Sequence, residues 1–136
     1  MIGSISASLL GSYIYTLQFE RFVYIGETQR NPVLRWSQHL TNSGSFKAAL
    51  AERDVRLTAT DRVDFRAFRC EFEHLGIRPV SYRIFTQAIE HELHCLFASE
   101  RTRVKLVSDT VRTCPPVAFF TESVKLMAKS LFEQCE

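Results

Sequence analysis

The feature that most constrains the fold is a pair of aromatic-rich segments separated by a very short connection. Ser12 to Gln18 and Phe22 to Gly26 are rich in aromatic and β-branched residues, which favours two β-strands. The turn then falls within Phe19-Glu20-Arg21, so a β-hairpin is predicted here. A two-residue loop would place Tyr15 and Tyr24 on one face, whereas a three-residue loop would separate them. No Asn-Gly type of turn signal is present, so the sequence leaves both registers open.

A short helix is predicted directly after the hairpin. Asn31 is a favourable N-cap, and Pro32 is a favourable first helical residue. Apolar residues at i, i+3 and i+7 predict one buried stripe, formed by Val33, Trp36 and Leu40. Arg35 and His39 are four residues apart, so they share a face of this helix outside the stripe.

The clearest helical period in the chain lies further on. One apolar stripe begins near residues 79–81 and predicts a long amphipathic helix, with Tyr82, Phe85, Ile89, Leu93, Leu96 and Phe97 on its apolar face. Glu90 and His94 are neighbours at i and i+4 outside that stripe. The helix has no obvious structural need for the Glu90 carboxylate, which makes it a candidate functional group.

The remaining segments complete a mixed order of elements. Phe46 to Arg53 suggests a second short helix, and Arg62 to Phe72 is typical of a strand. After Pro115-Pro116, a helix capped by Thr121 has an apolar face. The predicted order is β-β-α-α-β-α followed by a C-terminal helix, which is an α+β fold. At 136 residues the chain is long enough for one core and short for two, so residues 1–136 are predicted to form a single domain.

Composition excludes several classes of protein. The 46% hydrophobic content favours a packed globule over a disordered chain. The four cysteines are widely spaced and form no CxxC, so neither a zinc site nor a small disulfide framework is indicated. No run of about 18 apolar residues and no basic leader is present, which predicts no membrane association and a cytoplasmic protein. A net charge of only +2 indicates no strong positive electrostatic field that would attract nucleic acid.

Two tyrosines, an arginine, a histidine and a lone glutamate are nevertheless the parts of a one-metal phosphodiesterase. The reaction needs a group that orients or deprotonates water, a cation on the phosphate, and stabilisation of the leaving oxygen. An arginine suits the phosphate, and Mg²⁺ is content with one or two carboxylates because it keeps much of its water shell. A tyrosine could act as the base if the metal and the arginine lower its pKa, or if His39 accepts its proton.

These residues resemble the motifs of the GIY-YIG nuclease family. Tyr13-Ile14-Tyr15 is similar to the first motif, and Tyr24-Ile25-Gly26 matches the second. The family's Arg, with His or Tyr four residues later, matches Arg35 and His39, and its glutamate helix resembles residues 89–94. That helix pattern, in which an aliphatic residue follows three positions after the glutamate, favours Glu90 over Glu92. The resemblance covers roughly residues 11–105, with residues 113–136 as a C-terminal helical extension.

The resemblance implies a small three-stranded antiparallel sheet flanked by helices. It also implies metal-dependent endonuclease activity on DNA that leaves a 5′-phosphate, with Mg²⁺ or Mn²⁺ held by Glu90. Tyr15 or Tyr24 would activate water, His39 would assist the base, and Arg35 would bind the scissile phosphate. The length fits a restriction, phage-defence or repair nuclease. Four arginines are candidates for a DNA-contacting surface, namely Arg62, Arg66, Arg69 and Arg83.

The chain departs from the family pattern in three ways, one of which is a short spacing between the two tyrosine motifs. Tyr13 stands where the first motif has Gly, and no Asn follows the glutamate helix; Thr102 and Ser108 are the weak substitutes there. The missing Asn is the feature that supports a GIY-YIG-like module that binds DNA with weak or no cleavage. A second alternative is an assembly protein whose C-terminal helix, Phe120 to Phe132, binds a partner protein or a second copy.

Overall fold

The aromatic-rich segments form an antiparallel hairpin in the computed structural model, which describes residues 11–41, 44–100, 102–108 and 114–135. Strand β1 spans Tyr13–Phe19 and strand β2 spans Phe22–Thr28. Phe19 pairs with Phe22, so the loop between them has two residues. Glu20 occupies this loop with φ of 53°, a left-handed conformation that suits the tight turns of hairpins.

Among the described residues, the sheet contains four strands and is mixed. Strand β3, Asp64–Arg69, pairs antiparallel with β1, and strand β4, Lys105–Leu106, pairs parallel with β2, giving the order β3-β1-β2-β4. The α+β class is thus confirmed, whereas the expected three-stranded antiparallel sheet is wrong. The reason is the length of β4, because two residues are too few to show the alternation that reveals a strand.

Two short helices cover one face of the sheet. Helix α1 spans Pro32–His39 and helix α2 spans Ser45–Ala51. The buried residues on this side include Tyr15, Leu17, Phe46 and Leu50. Full burial of a side chain of this size contributes about 1.5–3 kcal/mol, so the two helices are held mainly by these few residues.

The predicted stripe of α1 is wrong in one position. Val33 is 48% exposed, whereas Pro32 and His39 are buried and Trp36 is partly buried against Phe65. The inward residues therefore follow at i, i+4 and i+7 instead of i, i+3 and i+7. This spacing keeps the same helical period but turns the helix so that the histidine faces the sheet.

Two longer helices cover the opposite face. Helix α3 spans Tyr82–Ser99, after a 3₁₀ turn at Pro79–Ser81, and helix α4 spans Glu122–Cys135. The predicted stripe of α3 is confirmed for its buried members, which include Ile89, Leu93 and Phe97. Phe97 packs edge-on against Phe132 of α4, with ring centroids 4.8 Å apart. The other 3₁₀ turns are Glu73–Leu75 and Val117–Phe119.

The C-terminal helix packs on the chain's own core. Val124, Ala128, Leu131 and Phe132 are buried, and Leu126 remains 59% exposed. The backbone N–H of Val124 donates to the predicted cap, Thr121 Oγ1, at 3.3 Å. The apolar face that suggested a partner protein or a homodimer is therefore used within the chain.

Several predictions are not settled by this architecture. The single domain over 1–136, with a core at 11–105 and an extension at 113–136, stays a prediction, and residues 113 and 136 lie outside the described part. Within the described helices, none is long and apolar enough to cross a membrane.

Candidate functional site

The two-residue turn settles the relation between the motif tyrosines. Tyr15 pairs with Gly26 and Leu17 pairs with Tyr24 across the hairpin. Because residues two apart on a strand share a face, Tyr15 and Tyr24 lie on the same face as diagonal neighbours. Tyr15 is 1% exposed, whereas Tyr24 is half-buried.

The register also explains the glycine of the second motif. A Cβ atom at Gly26 would collide with the hydroxyl group and ring of Tyr15, which lie directly over the glycine. Without a side chain, Gly26 leaves the space in which the Tyr15 ring extends along the sheet towards α1. The glycine thus fixes the position of the Tyr15 hydroxyl group.

Helix α1 brings His39 to that hydroxyl group. The side chain of Asn31 accepts from the Val33 N–H at 3.0 Å and so fixes the start of the helix. At the last turn, His39 Nε2 lies 2.7 Å from Tyr15 Oη in a buried hydrogen bond. The Tyr24 ring packs on the same imidazole, with centroids 4.6 Å apart. The structure therefore brings three of the predicted residues into direct contact.

Burial keeps both members of the hydrogen-bonded pair neutral. It raises the pKa of Tyr15 to about 12, although the nearby Arg35 opposes the shift. Burial, aided by the positive charge of Arg35, lowers the pKa of His39 to about 4. At neutral pH the pair is therefore a phenol beside a neutral imidazole, which can accept a proton. His39 Nδ1 is buried and has no hydrogen-bond partner among the described residues.

Arg35 lies one helical turn before His39 with its guanidinium exposed. Its Nη1 donates to Gln38 Oε1 at 3.1 Å. Although partial burial opposes the change, interactions with Tyr15, Tyr24 and Glu27 raise its pKa. This cation can therefore meet an anionic ligand while acting electrostatically on the tyrosine–histidine pair.

Glu90 belongs to α3, on the other side of the sheet, and interacts electrostatically with Glu27, Arg35 and Tyr15. Burial, together with the charge of Glu27, raises the pKa of Glu90 to about 8, and Arg35 acts in the opposite direction. Neither carboxylate forms an ion pair in the part of the chain that the structure describes. Two neighbouring carboxyl groups without a direct ion pair form an environment that a divalent cation would stabilise.

No described group of three or more His, Cys, Asp or Glu side chains is arranged to hold a metal ion. A cation on Glu90 and Glu27 would therefore take most of its ligands from water, which suits Mg²⁺ better than Zn²⁺. Sequence reasoning found Glu90 but missed Glu27, because a glutamate in a strand ordinarily faces solvent. Its position next to Tyr24-Ile25-Gly26 was the available signal.

His94 and Ser108 join the glutamate helix to the motif strand. Ser108 Oγ accepts from the Ile25 N–H at 2.9 Å and lies 2.8 Å from His94 Nε2. His94 Nδ1 lies 2.8 Å from the backbone oxygen of Glu90. Each donor and acceptor in this network has a hydrogen-bond partner when His94 carries its proton on Nδ1, and its Nε2 accepts from the Ser108 hydroxyl group. Ser108, a weak substitute for the missing Asn, thus holds β2 against the turn of α3 that carries Glu90.

The predicted DNA-contacting arginines occupy two different places. Arg62 and Arg69 each lie near an acidic residue two positions along the chain, at 3.1 and 4.0 Å, and Arg66 donates to a backbone oxygen of α4 at 2.9 Å. Arg83 is in the first turn of α3, where it lines a groove of about 490 Å³. We call this the arginine groove; its charged and amide-bearing lining includes Glu27, Arg30, Arg35, Gln38 and Arg83.

The geometry unites Tyr15, Tyr24 and His39 by contact, and adds Arg35 and Glu90 through their charges. Comparison of the chain with protein-family models, with curated proteins and with solved structures gave no match.

Proposed function

We propose that the protein is an endonuclease of the GIY-YIG type that hydrolyses DNA phosphodiester bonds with a divalent cation. The observation that carries this proposal is the buried hydrogen bond of 2.7 Å between Tyr15 Oη and His39 Nε2, with Arg35 one helical turn away. A phenol that can pass its proton to a neutral imidazole, next to an exposed cation, is suited to activating water beside a phosphate.

The pair supports a concerted relay of two protons. As Tyr15 Oη takes a proton from the attacking water, its own proton moves to His39 Nε2. This relay avoids a free phenolate, which the high pKa of Tyr15 makes costly. It uses the His39 tautomer with its proton on Nδ1.

Arg35 links phosphate binding to this proton transfer. A bound phosphate would accept hydrogen bonds from the guanidinium and compensate its charge. Because Arg35 is one of the two causes that lower the pKa of His39, phosphate binding would make His39 a better proton acceptor. The base is then strongest when substrate is present.

Glu90 is the proposed anchor for Mg²⁺ or Mn²⁺, with Glu27 as the neighbouring carboxylate. When bound, the cation would stabilise negative charge on the leaving oxygen. The raised pKa of Glu90 fits this role, because a positive charge would relieve the unfavourable burial and the repulsion from Glu27.

The geometry favours Tyr15 over Tyr24 as the base. Tyr15 bonds directly to His39, whereas Tyr24 packs its ring on His39 and on Phe46. Tyr24 is half-buried and closer to solvent, which suits a residue that positions the water or the substrate.

The test is cleavage of supercoiled plasmid, single-stranded and branched DNA with Mg²⁺ or Mn²⁺. We expect Glu90→Ala and Arg35→Ala to lower the rate by at least about 100-fold. Glu92→Ala is the matched control, since Glu92 is a second half-buried glutamate two residues along the same helix, and it should retain activity.

Cleavage that survives Glu90→Ala unchanged would contradict the mechanism. If wild-type protein binds these DNAs and cuts none of them with either metal, the chain is instead a DNA-binding module of this type. An assembly role would be indicated by a stable dimer in solution with no DNA binding.

A further inference from the structure

The arginine groove contains two cations that the proposed reaction does not use. Arg30 and Arg83 line it together with Arg35, and both are exposed. Across the described residues, the side chains of Arg30 and Arg83 make neither an ion pair nor a hydrogen bond. By contrast, Arg62 and Arg69 lie near acidic residues, and Arg66 donates to a backbone oxygen of α4.

Two chain segments place these guanidinium groups along one path. Arg30 directly precedes Asn31, the N-cap of α1, and Arg35 follows on that helix. Arg83 is on α3, seven residues before Glu90. Residues seven apart lie on the same face of a helix, two turns or about 10 Å from each other. The groove is therefore lined by the end of β2, by α1 and by the first turn of α3, and Glu90 lies two turns further along α3.

We propose that the arginine groove binds the phosphodiester backbone of one nucleic-acid strand, with Arg30 and Arg83 on phosphates next to the one that is cut. This inference rests on the proposed function, because Arg35 and Glu90 define where the scissile phosphate would lie. Arginine is suited to the task since its planar group donates paired hydrogen bonds to phosphate oxygens. A single isolated anion would need fewer cations spread over a shorter distance.

Binding of several phosphates by the arginines of the groove has a measurable consequence. A protein that releases counter-ions from phosphates shows a linear fall of log affinity with log salt, with a slope of about −0.7 per contact on single strands and about −0.9 on duplexes. Loss of both arginines should reduce the slope by about 1.4 to 1.8. At one charged hydrogen-bonding contact each, affinity should fall by at least about 100-fold.

The experiment measures fluorescence anisotropy of labelled single-stranded and duplex oligonucleotides with the full chain in EDTA, so that nothing is cut. Salt is varied from about 50 to about 200 mM. The test variant is Arg30→Ala/Arg83→Ala. The matched control is Lys125→Ala/Lys129→Ala, which removes the same charge from exposed positions of α4. Circular dichroism and thermal unfolding confirm that each variant is folded, and Arg30→Lys/Arg83→Lys should recover part of the affinity.

The expected result is weak binding and a smaller slope for the groove variant alone. The two oligonucleotide arms show which form of the strand the groove takes. Equal losses in groove and control variants, an unchanged slope, or no binding to either oligonucleotide would overturn the inference.

A parallel cleavage assay separates this inference from the proposed function. If wild-type protein cuts DNA, Glu90→Ala abolishes cutting and the groove variant keeps its KM, the groove is excluded and the nuclease stands. If the groove variant loses binding while wild-type protein cuts nothing, the groove stands and the nuclease fails.

Discussion

Replacing Glu90 by Gln should stabilise the metal-free protein at alkaline pH. The folded protein holds the proton on Glu90 up to about pH 8, whereas an unfolded glutamate loses it near its ordinary value of 4.5. Between these values the folded state binds more protons than the unfolded state, so the free energy of unfolding falls as the pH rises. The loss is complete above about pH 8, and an uncharged glutamine avoids it.

The magnitude follows from the shift in proton affinity. A change from 4.5 to about 8 corresponds to about 5 kcal/mol, at about 1.4 kcal/mol for each factor of ten. Since Glu90 is partly open to water, which screens its charge, we expect roughly 2–3 kcal/mol in practice. In a chain of 136 residues this is a rise in Tm of about 8–12 °C for Glu90→Gln over wild type.

The assay is thermal or urea unfolding in EDTA at about pH 5, 7 and 9. Wild type and Glu90→Gln should coincide near pH 5 and diverge as the pH rises. Glu27→Gln should reduce the alkaline loss in part, because Glu27 is one cause of the shift. At a hundred times its Kd, Mg²⁺ should then stabilise wild type by about 2.7 kcal/mol. The stability of Glu90→Gln should not change on addition of Mg²⁺.

A constant difference between wild type and Glu90→Gln at every pH would refute this account of the carboxyl group. The same would follow if Glu92→Gln, the matched change on α3, gave an equal pH-dependent gain.

Three further outcomes are expected. Gly26→Ala should displace the Tyr15 ring and lower the cleavage rate about 100-fold or more while the chain stays folded. If NMR shows the Tyr15 ring in its wild-type position, this prediction is wrong. Tyr15→Phe removes the hydrogen-bond partner of His39 and should lower the free energy of unfolding by about 1 kcal/mol. It should lower the single-turnover cleavage rate 100- to 10,000-fold, roughly the contribution of one acid–base group. A small effect on this rate would exclude the relay. Ser108→Ala should reduce the free energy of unfolding by about 1–3 kcal/mol, because it leaves the Ile25 N–H without its acceptor; urea titration that shows no loss would exclude that role.

The sequence predicted the elements better than it predicted their relations. The period of α3 was reliable because six apolar residues over four turns define one face. Of the two residues predicted outside this stripe, Glu90 is half-buried and His94 is buried. The hairpin register was open, since a turn with Glu20 at positive φ gives no Gly or Asn signal. The side of α1 that faces the sheet was misjudged because an eight-residue helix is oriented by what it packs against.

For the candidate site, too, the sequence predicted single residues better than the contacts between them. Tyr15, Tyr24 and His39 were identified individually, but their contact depends on the register and on the rotation of α1. Glu27 and Arg30 were missed, because strand and loop charges ordinarily lie on a solvated surface. The roles proposed for them depend on Glu90 and Arg83 of α3, which are distant in the sequence. Local sequence patterns do not contain this information.

The two outermost described strands limit edge-to-edge pairing between copies of this chain. An unpaired strand border exposes backbone donors and acceptors that can recruit another molecule. Here β4 offers only two residues, and β3 carries exposed charges at Asp64, Arg66 and Arg69. Both borders therefore discourage continuation of the sheet from one molecule to the next.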